Sequence, residues 1–66
     1  MPLIYRSAVK LIRARGGVFT GHDREHDEFT MPWGDRVMVP RHRGDLSSGV
    51  EQDIRRKVQG TRREGG

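Results

Sequence analysis

The chain has 66 residues, which allows one small domain with a marginal core, because a chain of this length buries only about 60% of its unfolded surface. It contains no cysteine, which excludes disulfide bonds, thiolate metal sites and a cysteine nucleophile. No apolar run approaches the roughly 20 residues that a membrane span needs, and residues 1–10 do not read as a signal peptide. We therefore expect a cytoplasmic protein that does not bind membranes.

The charge of the chain is strongly basic. Thirteen lysines and arginines against nine aspartates and glutamates give a net charge of +4, and only Lys10 and Lys57 among the basic residues are lysine. Arginine suits phosphate oxygens because its planar guanidinium donates paired hydrogen bonds. The composition favours a polyanionic partner, nucleic acid first and an acidic protein second, and a basic surface that contacts only water is the alternative.

The first predicted element is a helix from Ser7 to Arg15. Ser7 is a favourable N-cap, although the apolar stripe would allow an earlier start, and Gly16 is suited to the left-handed conformation that ends many helices. The apolar residues that recur at helical spacing are Ala8, Val9, Leu11 and Ile12.

Three short strands are predicted next, at residues 18–20, 26–31 and 36–39, separated by turns rich in glycine, proline and charged residues. Polar and apolar residues alternate along the second strand. Because successive strand side chains point to opposite faces, Phe29 on the inner face places His26 on the outer one.

A second helix is predicted to begin at Ser48, with Glu51 three residues later completing a capping box. Val50, Ile54 and Val58 recur every four residues and form a narrow apolar stripe. Residues 61–66 are expected to form a disordered basic tail.

The order of elements predicts an α+β domain over residues 1–60, with α-β-β-β-α topology. Each element has one apolar side, so the economical packing is a three-stranded antiparallel sheet with both helices on one face. The other face of the sheet is then open, and we expect His26 to lie on it.

Several short segments, in this order and spacing, resemble the HicA family of toxin–antitoxin ribonucleases. A glycine precedes an aromatic in Gly17-Val18-Phe19, and a histidine lies three residues before an aromatic in His26-Asp27-Glu28-Phe29. A Pro-x-Gly turn follows at Pro32-Trp33-Gly34. The third strand ends with a Val-Pro-x-His pattern at Val39-Pro40-Arg41-His42, and an Asp-Leu pair, Asp45-Leu46, precedes the second helix. The similar stretch runs from about Val9 to Gly60. The chain departs from the family at Arg24-Glu25, where family members usually carry glycine and then serine or aspartate.

The resemblance implies a double-stranded-RNA-binding-domain-like fold and a metal-independent endoribonuclease that cleaves mRNA. It implies that His26 is the single catalytic residue, that no cofactor is needed and that a HicB-type antitoxin neutralises the toxin. The chemistry is reasonable because RNA carries its own nucleophile, the 2′-hydroxyl, and imidazole can remove its proton near neutral pH. Such a reaction leaves a 2′,3′-cyclic phosphate.

Stabilising the charge on the transition state needs cationic donors, and the sequence does not rank the candidates. These RNA-binding candidates are Lys10, Arg24, Arg36, Arg41 and Arg43. Glu25 and Glu28 are further candidates to orient His26, although surface solvation is their more economical role.

Other interpretations stay open. A metal site would combine His22 and His26 with nearby aspartates, but the glycine and the alternation around them favour turn and strand over a helix. His42 is expected to close the loop after the third strand, and Trp33 either stacks on a base or packs against the domain. The alternative function is a non-catalytic RNA-binding module of the same fold, and a DNA-binding domain is the weakest because no helix-turn-helix spacing is present.

Overall fold

The chain folds as helix, three strands and helix, which confirms the predicted α-β-β-β-α order and the α+β class. The computed structural model describes residues 2–60, and the tail predicted at 61–66 lies outside this range. The elements in chain order are α1 (Tyr5–Ala14), β1 (Val18–His22), β2 (His26–Thr30), β3 (Arg36–Pro40) and α2 (Ser48–Gln59). The strands form one antiparallel sheet in the order β1-β2-β3.

The two faces of the sheet differ as the alternation in β2 predicts. Phe29 pairs with Val37 across β2 and β3, and both are buried with Val39 under the helices. His26 pairs with Pro40 and lies on the opposite, open face. The prediction of both helices on one face is therefore confirmed, and it sets where a ligand can reach His26.

The hydrophobic core lies between the two helices and strands β2 and β3. Ala8 and Ile12 of α1 and Ile54 and Val58 of α2 are almost completely buried, because the apolar residues of each helix recur at helical spacing on one side. Leu3 joins this core, and its N–H donates to Glu51 Oε1 at 3.2 Å, which ties the N-terminal segment to α2.

Helix α1 begins earlier than Ser7, so the prediction of Ser7 as its N-cap is wrong. The N-cap is Ile4, and the Ser7 hydroxyl reaches back to accept the N–H of Ile4 at 2.9 Å. Ser7 thus stabilises the helix start from inside the first turn, which is the role that a glutamate or glutamine fills in the usual capping box.

Helix α2 begins at Ser48, as predicted, but its cap differs from the predicted one. Its N-cap is Ser47, whose hydroxyl accepts from the N–H of Val50 at 3.3 Å, so the predicted box between Ser48 and Glu51 does not form. Glu51 instead accepts from Leu3 and Arg55. Gly60 ends the helix in the left-handed conformation with φ 64°, as the sequence indicates.

The turn between β2 and β3 packs against the end of α2. Trp33 donates its indole N–H to the carbonyl oxygen of Lys57 at 3.0 Å, and its ring covers Gly60. A Cβ atom at Gly60 would lie 2.9 Å from Cε2 of Trp33, so no larger residue fits without displacing the ring. Of the two interpretations of Trp33, the structure shows packing.

Strand β1 is the least covered part of the sheet. Its pairing with β2 has a bulge between Phe19 and Gly21, so that Thr20 is an extra residue. Phe19 contacts the edge of Phe29, with ring centroids 5.7 Å apart, yet Phe19 and Val18 stay 54% and 59% exposed.

Neither α1 nor α2 has the length and apolar character of a membrane-spanning helix, and the described residues 2–60 contain no other helix.

Candidate active site

A cleft of about 220 Å³ opens at the end of the sheet where β2 begins and β3 ends. It forms because the β1–β2 turn and the chain after β3 lie side by side, joined by a hydrogen bond of 2.7 Å from the Arg41 N–H to the Glu25 carbonyl oxygen. Its lining residues are Arg24, Glu25, His26, Pro40, Arg41 and His42. The cleft therefore combines two imidazoles with two guanidinium groups.

Asp23 holds His26 in place from the β1–β2 turn. One oxygen of its carboxylate, Oδ1, accepts the backbone N–H groups of Glu25 at 2.8 Å and of His26 at 2.7 Å. The same oxygen lies 3.4 Å from Nδ1 of His26, whose side chain is 37% exposed. Because a carboxylate can only accept, this contact favours the proton on Nδ1 and leaves Nε2 for a substrate.

The charge of Asp23 is fixed by the same contacts. Hydrogen bonds from the backbone N–H of Glu25 and then of His26 hold the pKa of the Asp23 carboxyl below its usual range, because they stabilise the ionised form. A negatively charged carboxylate therefore lies beside the imidazole of His26.

Directly behind His26, Asp27 forms a polar cluster on the core side of the sheet. Asp27 is only 9% exposed, as the inward parity it shares with Phe29 requires. Its Oδ2 accepts from the hydroxyl of Tyr5 in α1, and its Oδ1 lies 3.3 Å from Nε of Arg41. The hydrogen bond to Asp27, followed by burial, raises the pKa of the Tyr5 hydroxyl. Tyr5, Asp27 and Arg41 therefore tie α1 to the cleft.

The structure brings only some of the predicted RNA-binding residues to His26. Arg24 and Arg41 line the cleft, and Arg43 follows in the exposed loop beyond it. Arg36 lies on the open face at the far end of β3, four residues from the partner of His26, or about 13 Å along the strand. Lys10 lies on the outer side of α1, behind the sheet.

The two cleft arginines differ in availability. Arg41 already donates to the backbone carbonyl oxygen of Asp23 and pairs with Asp27, so much of its hydrogen-bonding capacity holds the turn together. The side chain of Arg24 is exposed and has no ion pair within residues 2–60. Arg24 is thus the cation in the cleft that is free to bind a phosphate group.

His42 lies in the same cleft, which the sequence did not indicate. Its Nδ1 is 2.9 Å from the carbonyl oxygen of Arg43. A carbonyl oxygen only accepts, so Nδ1 of His42 carries a proton and Nε2 is the nitrogen left for other partners. This hydrogen bond joins neighbouring residues and leaves the exposed ring of His42 at the lining of the cleft.

Sequence reasoning missed Asp23, Asp27 and His42 as site residues. Two signals were available: an aspartate in a turn between two strands is typical of an Asx turn, and Asp27 shares the inward parity of Phe29. Glu28, one of the predicted orienting residues, instead accepts a hydrogen bond of 2.8 Å from the Thr20 hydroxyl.

The described residues do not form the metal site that the sequence left open. His22 pairs with Asp27 across the hairpin and stacks on Phe19, with ring centroids 6.3 Å apart, so it lies on the side of the sheet away from His26. In the described part of the chain, no three histidine or carboxylate side chains come together in a way that could hold an ion.

The chain matches no protein-family model, and no curated protein matches it significantly.

Proposed function

We propose that this protein is a metal-independent endoribonuclease of the HicA type, acting on mRNA in the cytoplasm as the toxin of a toxin–antitoxin pair. One observation carries the proposal: His26, held by an ionised aspartate, shares an open cleft with Arg24, which forms no ion pair within residues 2–60. That combination offers a proton acceptor and a phosphate-binding cation within one site, and the resemblance of the segments around His26 supplies the substrate class.

In the proposed reaction, Nε2 of His26 removes the proton from a 2′-hydroxyl of the bound RNA. The 2′-oxygen forms a bond to the adjacent phosphorus, and Arg24 stabilises the negative charge that develops on the phosphoryl oxygens. The bond from phosphorus to the 5′-oxygen breaks, which leaves a 2′,3′-cyclic phosphate on one product and a 5′-hydroxyl on the other.

The leaving 5′-oxygen needs a proton, and His42 is the group in the cleft that can supply it. With Nδ1 bonded to the carbonyl oxygen of Arg43, a protonated His42 would donate from Nε2. The proposal therefore assigns the base to His26 and the acid to His42, which extends the single-histidine mechanism that the resemblance implies.

The test compares His26→Ala with His22→Ala. Both variants remove an imidazole from the same hairpin, but only His26 lines the cleft. We expect His26→Ala to abolish cleavage of a generic transcript and growth arrest on expression, while His22→Ala keeps both. Truncating a solvent-accessible side chain should change the free energy of unfolding by no more than about 0.5 kcal/mol, which thermal unfolding checks. A stable His26→Ala protein that still cleaves RNA would contradict the assignment, and RNA binding by wild type without cleavage would favour the non-catalytic RNA-binding module.

A second substrate isolates the role of His42. The substrate is a uridine 3′-phosphate ester with a p-nitrophenyl leaving group, and this leaving group departs without protonation. His42→Ala should cleave this ester at nearly the wild-type rate while losing about 100-fold on ordinary RNA, the usual contribution of one acid–base group. His26→Ala should be inactive on both substrates. An equal loss of His42→Ala activity on both substrates would mean that His42 acts only by shaping the loop.

The proposed partner is an acidic HicB-type antitoxin that covers the cleft. The open face beside the cleft is the side of the sheet without helices, and steering by opposite charge would speed association with a basic chain. Hydrogen exchange of the toxin alone and in the complex is the test. Protection should appear in residues 26–31 and 41–45, whereas protection confined to the outer surfaces of the helices would refute masking of His26.

A further inference from the structure

The outer side of α1 carries a stripe of three cations. Arg6, Lys10 and Arg13 follow one another at intervals of four and three residues, which places them within about 60° of each other around the helix and about 10 Å from first to last along its axis. The opposite side of α1 carries Ala8 and Ile12, which are buried in the core. The three cations, named here the α1 stripe, therefore face away from the sheet.

Within the described residues 2–60, no acidic residue pairs with the α1 stripe. Helix α1 contains no aspartate or glutamate, and within residues 2–60 none of the three cations forms an ion pair. The basic residues of α2 are arranged differently, since each has an acidic partner on the same helix. These pairs are Arg55 with Glu51 at 2.9 Å, Arg56 with Asp53 at 2.7 Å and Lys57 with Asp53 at 3.1 Å.

The α1 stripe is unfavourable for the helix itself. Cations four residues apart repel, as Arg6 and Lys10 do, and a cation in the first turn opposes the helix dipole. Only Arg13, in the last turn, has a favourable position. A helix that needed these residues only for solubility would gain from alternating signs, as α2 does, so the pattern indicates an anionic ligand.

The position of the α1 stripe favours a nucleic-acid chain. Arg6 is adjacent to Tyr5, whose hydroxyl binds Asp27 directly behind His26, so the stripe begins at the end of the domain that holds the cleft. The apolar side of α1 is already used in the core, which leaves this helix no apolar face to insert into a lipid surface.

We propose that the α1 stripe binds the phosphate backbone of single-stranded RNA and anchors, outside the cleft, the substrate that His26 cleaves. The proposal rests on the proposed function for the identity of the ligand. It assigns Lys10, one of the candidates for stabilising the transition state, to a separate anchoring surface together with Arg6 and Arg13.

The test measures how RNA affinity depends on salt. The probe is a labelled 2′-O-methyl RNA of about 12 nucleotides, which lacks the nucleophile and is not consumed, and its binding is followed by fluorescence anisotropy between about 50 and 200 mM salt. One variant replaces Arg6, Lys10 and Arg13 with glutamine. The matched control replaces Arg55, Arg56 and Lys57 with glutamine, which lowers the net charge by the same amount on the other helix.

Each phosphate contact adds about 0.7 to the log–log slope for a single strand, so the α1 variant should lose about 2 from the magnitude of the slope. The α2 control should keep the wild-type slope. Equal slopes for the α1 variant and wild type would overturn the proposal, and so would an equal loss in both variants, which would reflect net charge alone. If the triple variant does not fold, Lys10→Gln should still lower the slope by about 0.7.

Failure of the anchoring surface and failure of the proposed function are distinguishable. If wild type cleaves ordinary RNA but the α1 variant keeps its slope, the anchor is wrong and the nuclease stands. If the α1 variant loses its slope while wild type cleaves nothing, the anchor stands and the nuclease is wrong. If the wild-type protein binds an RNA duplex more tightly than the single-stranded probe, the assignment of single-stranded RNA as the ligand is wrong.

Discussion

Replacing Tyr5 with phenylalanine tests the cluster behind the cleft. The substitution removes one hydroxyl, leaves the ring, and deprives Asp27 of one of its two partners while Arg41 stays beside it. A hydrogen bond to a charged group contributes about 1.5–3 kcal/mol, and because Tyr5 is only half-buried we expect the lower part of that range, about 1.5–2 kcal/mol. Domains of this size have a total free energy of unfolding of about 3–10 kcal/mol, so the loss should lower the melting temperature by about 10 °C.

The pH dependence makes the prediction specific to this hydroxyl. Asp27 and burial raise the pKa of Tyr5 above 10.0, so the folded protein holds the phenolic proton more tightly than the unfolded chain does. The stabilisation is therefore complete below pH 10 and is lost as the pH rises through the higher, folded pKa. Tyr5→Phe has no such proton, so the stability difference between the two proteins should shrink above about pH 10.

Urea unfolding of both proteins at a series of pH values measures this difference in stability. The ionisation of Tyr5 can be followed separately, because Tyr5 is the only tyrosine in the sequence. The ultraviolet absorbance of tyrosinate therefore reports the ionisation of this group alone. A stability difference below about 0.5 kcal/mol at neutral pH would show that the hydroxyl contributes no more than an ordinary surface group. A difference that stays constant through the titration of Tyr5 would refute the role of Asp27 in raising its pKa.

Three further predictions concern the turn, the helix end and the metal requirement. Asp23→Asn keeps an acceptor for the turn but removes the charge. Because the pKa of Asp23 is lowered from 3.8, the wild-type protein should lose stability as the pH falls below that value. The variant should lose less stability over the same range, which unfolding at acid pH measures. Gly60→Ala and the control Gly44→Ala both place a side chain at positive φ, which costs about 1–2 kcal/mol. A Cβ at Gly44 has no atom within 4 Å, so Gly44→Ala should lose only this amount, whereas Gly60→Ala should lose more and shift the fluorescence of Trp33; identical spectra would contradict the packing. RNA cleavage should persist in excess chelator and leave 2′,3′-cyclic phosphate ends, and activity lost on chelation and restored by zinc or magnesium would refute the metal-independent mechanism.

The element order was predictable because each signal is local. Helical spacing of apolar residues, alternation in β2 and the turn glycines lie within a few positions of one another. The helix caps were less predictable, since Ser47 and Ser48 are equally good N-caps by residue type. The choice depends on tertiary contacts, because Glu51 is engaged by Leu3, which lies 48 residues away in the chain.

The site was predictable only in part, for the same reason. Parity alone puts His26 on the open face, but the role of Asp27 depends on Tyr5, which is 22 residues away. Arg41 and His42 reach the cleft because β3 runs antiparallel to β2 and ends where β2 begins. A count of basic residues cannot show that Arg24 is available while Arg41 is engaged, since that difference arises from the folded positions of Asp23 and Asp27.

The bulge in β1 is expected to hinder the addition of a second chain to the edge of the sheet. The outer edge of β1 offers backbone groups that are unpaired within residues 2–60, next to the exposed Val18 and Phe19, and such an edge can template the addition of a second chain. The extra residue Thr20 interrupts the strand after only two regular pairs, so a straight strand from another molecule cannot continue along it. Deleting Thr20 should remove the bulge, give β1 a regular edge and so favour pairing with a second copy of the chain.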